Sequence, residues 1–224
     1  MLEAVIFDMD GVIVDTEPGY LAAVNRFLKR FGKSIDSKFN EQFFGGSAYD
    51  MWAVTKKHVG LDHLTVEECM KGMEEEREKM IRQEGYRAIP GTIPLIQDLY
   101  DRGIPLAVAS SSSLSEIEKV TKYLNVRKYF AKIVSGIDEC EHAKPFPDVF
   151  LKAARKLDVK PENCLVIEDS SNGALAAKKA GMRVIGFRNQ ECGNQALESA
   201  DYVVTTIEDV DYALCQEVGN KNDI

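Results

Sequence analysis

Cysteine is scarce and unpatterned in this chain of 224 residues: Cys69, Cys140, Cys164, Cys192 and Cys215 are odd in number and never stand in C-x-x-C spacing. Neither a disulfide framework nor a zinc site is therefore expected, and the five read as reduced structural thiols. A basic excess is missing too, with 28 Lys and Arg against 36 Asp and Glu, a formal charge of -8. That argues against non-specific binding to nucleic acid or anionic membranes, both of which need a basic surface. There is no long apolar run: the first one is cut by Asp8 and preceded by Glu3 rather than a basic segment, so neither a signal peptide nor a membrane span is expected. The expected compartment is the cytoplasm, and the expected state a monomer. No G-x-x-x-x-G-K-[ST] occurs, which removes the usual sign of ATP as a phosphoryl donor. Internal repeats and low-complexity tracts are absent. The three histidines, His58, His63 and His142, read as surface or loop side chains, although His142 stands close to Lys144.

What is present begins with Ala4-Val5-Ile6-Phe7, an apolar, β-prone run that stops at Asp8-Met9-Asp10-Gly11. A buried strand delivering two carboxylates to a glycine-containing turn is the expected arrangement. The pattern recurs. Pro105 to Ala109 stops at Ser110-Ser111-Ser112-Ser113, Lys132 to Ser135 leads to a loop holding Lys144, and Leu165 to Ile167 stops at Glu168-Asp169-Ser170. In an open α/β sheet, ligands bind beyond the carboxyl ends of the strands. If these ends lie side by side, one cleft holds four carboxylates, a hydroxyl and an ammonium. Carboxylates so gathered repel, and a hard cation such as Mg²⁺, which prefers oxygen ligands, relieves them. The same residues can also serve as turn formers, helix caps or an ion-pair network around Lys144.

Between these motifs the periodicity is helical. From Tyr20 the apolar residues Leu21, Val24, Phe27, Leu28 and Phe31 recur at three- and four-residue spacing before Gly32, after a turn expected at Thr16 to Gly19. Further helices are expected around Trp52 and over Glu67 to Arg82, where Glu74 to Lys79 reads as a solvated face. From Thr92 helices alternate with short strands, including Arg183 to Phe187 and Asp201 to Val204. A plausible capping box of Ser113 and Glu116 opens one helix, and Pro147 and Asp148 suit the start of another. The tail from Gly219 reads as frayed. The fold class is α/β: a doubly wound parallel sheet over residues 1–15 and 88–224, with an all-helical insertion over 16–87.

The segments Asp8-Met9-Asp10-Gly11-Val12, Ala109-Ser110, Lys144-Pro145 and Glu168-Asp169-Ser170 resemble the four ordered motifs of the haloacid dehalogenase superfamily of phosphohydrolases. The helical insertion resembles the small cap of its beta-phosphoglucomutase and sugar-phosphatase branch. The resemblance runs from Glu3 to about Val204 and implies a Rossmann-like core. It implies that Asp8 is the nucleophile, becoming an aspartyl phosphate, and that Asp10 is the general acid and base. It further implies Mg²⁺ held by the Asp8 carboxylate, the Asp10 main-chain carbonyl and Asp169, with Glu168 as a supporting or second ligand. Ser110, Ser111 and Lys144 would hold phosphoryl oxygens. Gly45, Gly46 and Ser47, within the Phe44 to Tyr49 stretch of the cap, would meet and select the substrate, a small phosphorylated metabolite. Asp10 also favours phosphate esters, because dehalogenation and phosphonate hydrolysis need no acid there.

Within that branch the choice is between hydrolysis and mutase chemistry. The positions matching a histidine after the first motif and an arginine in the cap loop of beta-phosphoglucomutases carry Tyr20 and Ala48 here. Asp15-Thr16-Glu17-Pro18 is similar to sugar-phosphate phosphatases. Hydrolysis of sugar or polyol phosphates is the expectation, with a mutase as the alternative if Lys56, Lys57 or Lys71 supplies the missing charge. A scaffold kept only as a binding or regulatory module is the reading from another class; the presence of Asp8, Asp10, Lys144 and Asp169 speaks against it.

Overall fold

Ala4–Phe7 are buried along their whole length, as a strand covered on both faces must be. In the computed structural model, which describes residues 1–15, 17–43, 48–188 and 196–220, they form β1 near the middle of a six-stranded sheet. In chain order β1 is followed by α1 (Glu17–Lys29), α2 (Ser37–Glu41), α3 (Ala48–His58), α4 (Val66–Glu84), α5 (Thr92–Asp101), β2 (Leu106–Ser110) and α6 (Leu114–Tyr123). Then come β3 (Lys132–Ser135), α7 (Gly136–Glu139), α8 (Asp148–Leu157), β4 (Cys164–Glu168), α9 (Ser171–Lys179), β5 (Arg183–Phe187), β6 (Tyr202–Val204) and α10 (Tyr212–Gly219). All neighbouring strands are parallel, in the order β3-β2-β1-β4-β5-β6. This is the doubly wound Rossmann-like arrangement that the alternation of strands and helices predicts.

The chain divides into two compact units. The first holds the sheet, and α8 and α9 bury their apolar faces on one side of it. Val149, Phe150, Ala153, Ala174 and Ala177 pack there against Ile6, Ala107 and Val166. Full burial of a side chain such as Phe150 contributes roughly 1.5–3 kcal/mol. On the other side Phe7 meets Phe130 edge to face, ring centroids 5.9 Å apart. The register of the central strands aligns their ends. Phe7 pairs with Val108 and with Ile167, so Asp8 comes level with Glu168, and Ser110 lies one residue further along β2.

The second unit, between residues 16 and 86, is helical. Its core joins Phe27 of α1 to Trp52 of α3, whose rings meet at 5.5 Å and 89°. A reciprocal capping box, Thr65 with Glu68, opens α4. Helix α1 starts at Glu17, so Pro18 and Gly19 belong to its first turn and not to the turn expected there. Proline is well suited to that place, because its missing N–H has no partner to lose. The end of the helix follows expectation, with Gly32 at φ 69° beyond it. Of the tail expected to fray, Gly219 is instead the buried last residue of α10 and Asn220 Oδ1 accepts from the Leu2 N–H at 2.6 Å, while residues 221–224 lie outside the described residues. Cys69, Cys164 and Cys215 are buried free thiols. Among the described residues no helix is long and apolar enough to cross a membrane.

Candidate active site

Asp8 is the first residue beyond β1. Its N–H donates to Ile167 O at 3.0 Å, which continues the ladder to β4 and holds the buried side chain at the sheet's carboxyl edge. Lys144, on the loop after β3, reaches the same point. Its Nζ donates to Asp8 Oδ1 at 2.6 Å and to Glu168 Oε1 at 2.7 Å, with both lysine and acids nearly inaccessible to water. The Lys144 ammonium also lies 4.9 Å from the centre of the Phe150 ring.

Glu168, the last residue of β4, has its second oxygen occupied at the start of α9. Oε2 accepts from Ser170 N at 2.6 Å and from Ser170 Oγ at 2.9 Å. Gly173 leaves the space this requires: a Cβ there would stand 1.6 Å from Glu168 Oε1. Asp169 is accommodated similarly by Gly11, at φ 80°, where a Cβ would fall 2.0 Å from Asp169 Oδ2.

Asp8, Glu168 and Asp169 offer carboxylate oxygens within 4.8 Å of one another, all buried. One lysine cannot neutralise three such groups. Burial pushes the Asp8 carboxyl up to about 7, with Lys144 opposing and the charges of Glu168 and Asp10 adding. Burial likewise raises Asp169 well above the carboxylate range, with Glu168 and Asp8 adding. For Lys144, burial would favour the neutral amine, but Asp8 and Glu168 outweigh it and hold the ammonium above its usual pKa. An all-oxygen, net negative, buried donor set of this kind fits a hard divalent cation.

Asp10 is engaged separately. Its Oδ2 accepts from Ser110 Oγ at 3.2 Å and from Ser112 Oγ at 2.8 Å. Ser110 is fully buried at the end of β2, and Ser111 stands exposed beside it. The structure thus brings together Asp8, Lys144, Glu168 and Asp169, and links Asp10 to Ser110. Gly45, Gly46 and Ser47 lie outside the described residues. His142 is tied to its own loop, Nδ1 lying 3.1 Å from Asp148 Oδ1 and the ring 4.8 Å from that of Phe146. The sequence gives Ser112 and Gly173 no role and Ser170 only a place in the fourth motif, yet Ser112 and Ser170 bind acidic side chains and Gly173 makes room for one. Their signal is spacing alone, each lying two to five residues beyond an assigned motif residue.

Residues 5–187 match the family described as haloacid dehalogenase-like hydrolase. The chain belongs to that family. This haloacid dehalogenase-like hydrolase is 32% identical over 203 residues to a phosphorylated carbohydrates phosphatase of Thermotoga maritima, covering 90% of this chain and 93% of that one. It is 31% identical to (DL)-glycerol-3-phosphatase 2 of Arabidopsis thaliana, with coverages of 92% and 87%. Among solved structures it resembles a putative beta-phosphoglucomutase from Thermotoga maritima, with a TM-score of 0.80 and 30% identity over 92% of this chain and 95% of that one.

Proposed function

We propose that this protein is a Mg²⁺-dependent phosphatase of small phosphorylated metabolites, sugar or polyol phosphates above all, acting through an aspartyl phosphate. The observation that carries the reading is the contact of Lys144 Nζ with Asp8 Oδ1 at 2.6 Å inside the buried acidic group. A carboxylate at a strand end, paired with a buried ammonium and followed two residues on by a second acid, suits phosphoryl transfer. The phosphatase names of the relatives in Thermotoga maritima and Arabidopsis thaliana support the substrate class.

In this reading an Asp8 oxygen attacks phosphorus as the ester P–O bond breaks, and Asp10 gives its proton to the departing oxygen. Asp10 then takes a proton from the water that attacks the phosphorus, freeing Asp8 and inorganic phosphate. Lys144 and Ser110 hold phosphoryl oxygens, with Ser111 at the rim. The Asp8 carboxylate, the Asp10 main-chain carbonyl and Asp169 would hold Mg²⁺, supported by Glu168. When bound, Mg²⁺ offsets the repulsion between an anionic Asp8 and an anionic phosphate.

Asp8→Asn keeps the shape and removes the nucleophile, so turnover should fall roughly 10³-fold or more. Undiminished phosphate release by clean variant protein would refute the assignment. The likeness to a putative beta-phosphoglucomutase supports a second reading, phosphosugar transfer without net hydrolysis. A panel of sugar phosphates with Mg²⁺, including beta-glucose 1-phosphate primed with glucose 1,6-bisphosphate, separates the two. Stoichiometric phosphate is expected; glucose 6-phosphate with little free phosphate would mark a mutase.

A further inference from the structure

Ser135 is the last residue of β3, fully buried, and in register with Ser110 of β2. Its hydroxyl donates to Ser112 O at 2.8 Å and accepts from Asp138 N at 3.0 Å. Its own N–H donates to Glu139 Oε2 at 3.1 Å, and Glu139 is anchored by Lys156 Nζ at 2.6 Å. Leu114 N donates to Asp138 Oδ2 at 2.7 Å, so the loops beyond β2 and β3 are joined a second time. They are also in close approach, since a Cβ at Gly136 would lie 3.3 Å from Ser110 O.

The peptide that Ser135 grips belongs to the residue whose hydroxyl lies 2.8 Å from Asp10 Oδ2. Ser112 N also donates to Ser110 Oγ at 3.0 Å, and Ser110 Oγ is the other donor to Asp10. One buried hydroxyl on a neighbouring strand therefore fixes both groups that aim the Asp10 carboxylate. We infer that Ser135 is a positioning residue for Asp10, acting through the Ser112 peptide. This rests on the acid role of Asp10 in the proposed function. Without the hydroxyl, Ser112 O loses its donor and Asp138 N its acceptor, and Asp10 keeps its serines but not their fixed direction. In the first transfer, Asp8 forms a bond to phosphorus, the ester P–O bond breaks, and the Asp10 proton goes to the leaving oxygen. A misdirected acid slows that step most where the leaving oxygen is most basic.

The test compares kcat/KM, which reports the first transfer, on p-nitrophenyl phosphate and on whichever alkyl sugar or polyol phosphate the wild type hydrolyses. p-Nitrophenolate leaves without much help from an acid; an alkoxide does not. For Ser135→Ala, kcat/KM on the alkyl phosphate should fall about tenfold further than on p-nitrophenyl phosphate. An equal fall on both substrates is what damaged folding would produce, and that result, or no fall, overturns the inference. Asp10→Asn sets the reference. If it shows the leaving-group bias and Ser135→Ala does not, only the role of Ser135 is refuted. If Asp10→Asn lacks the bias, the acid assignment fails and the inference with it. Should Ser135→Ala not fold, Ser135→Cys keeps the branching with a slightly larger atom, weakens the donor and decides by the same criterion.

Discussion

At Gly173 and Gly19 the same change, glycine to alanine in the first turn of a helix, has opposite expected signs. Alanine is ordinarily better than glycine in a helix by about 1 kcal/mol, because the unfolded chain then has less freedom to lose. At Gly19 a Cβ meets nothing within 4 Å, so Gly19→Ala should raise stability by up to about that amount, read as a higher melting temperature. At Gly173 the Cβ would stand 1.6 Å from Glu168 Oε1. Gly173→Ala must displace the Glu168 carboxylate from Lys144 and Ser170, so it should lower stability and weaken Mg²⁺ binding in a calorimetric titration. An unchanged titration would show that Glu168 does not support the cation. Neither sign is legible in the sequence, where both residues are only glycines near a helix start. The acids themselves were legible, because Asp8 and Glu168 each stand at the abrupt end of an apolar run.

At the scale of elements, the edge of the sheet depends on Asp201. Its carboxylate accepts from Lys178 Nζ at 2.7 and 2.9 Å, from Arg183 at 2.8 Å and from Val184 N at 2.8 Å, clamping the approach to β6 onto β5 and α9. Burial alone would raise its pKa, but the hydrogen bonds from Lys178 and Arg183 outweigh it and hold the carboxyl below its usual value. A depressed pKa means that the folded state prefers the ionised form. The stabilisation is complete above the unfolded pKa of about 3.9 and disappears as pH falls through the folded value. Asp201→Asn should therefore cost roughly 1–3 kcal/mol at neutral pH in urea unfolding. The gap from wild type should close as the acid limb is reached; a gap independent of pH would assign the loss to packing. The central strands were legible because their runs are short and apolar, as Ala4 to Phe7 and Leu165 to Ile167 show. The start of α1 was not, because Pro18 and Gly19 are turn formers by composition, and only the backbone shows them inside a helix. Ser112 and Ser135 were illegible for a different reason: their roles depend on which strands are neighbours, which periodicity does not encode.

For the whole molecule, the buried acidic group holds more carboxylates than Lys144 alone can neutralise, and a bound cation would relieve their repulsion. A ligand bound by the folded chain alone stabilises it by about 2.7 kcal/mol at a hundredfold excess over its Kd. Mg²⁺ should raise the melting temperature of the wild type and much less that of Asp169→Asn, whereas equal shifts would place the binding elsewhere. The order of strands has its own consequence. Val5 pairs with Leu106 on one side and Leu165 on the other, so β1 has no neighbour close in the chain. A ribosome adding 5–20 residues per second takes on the order of ten seconds to pass from Val5 to Leu165. Until Leu106 is made Ala4–Phe7 is an apolar segment with no strand to pair with, and until Leu165 is made it has at most one, while the helices α1, α3 and α4 already have one another. The earliest of the strands to be made is the one that waits longest for its neighbours, and the site at its end cannot assemble before Glu168 and Asp169 have been made.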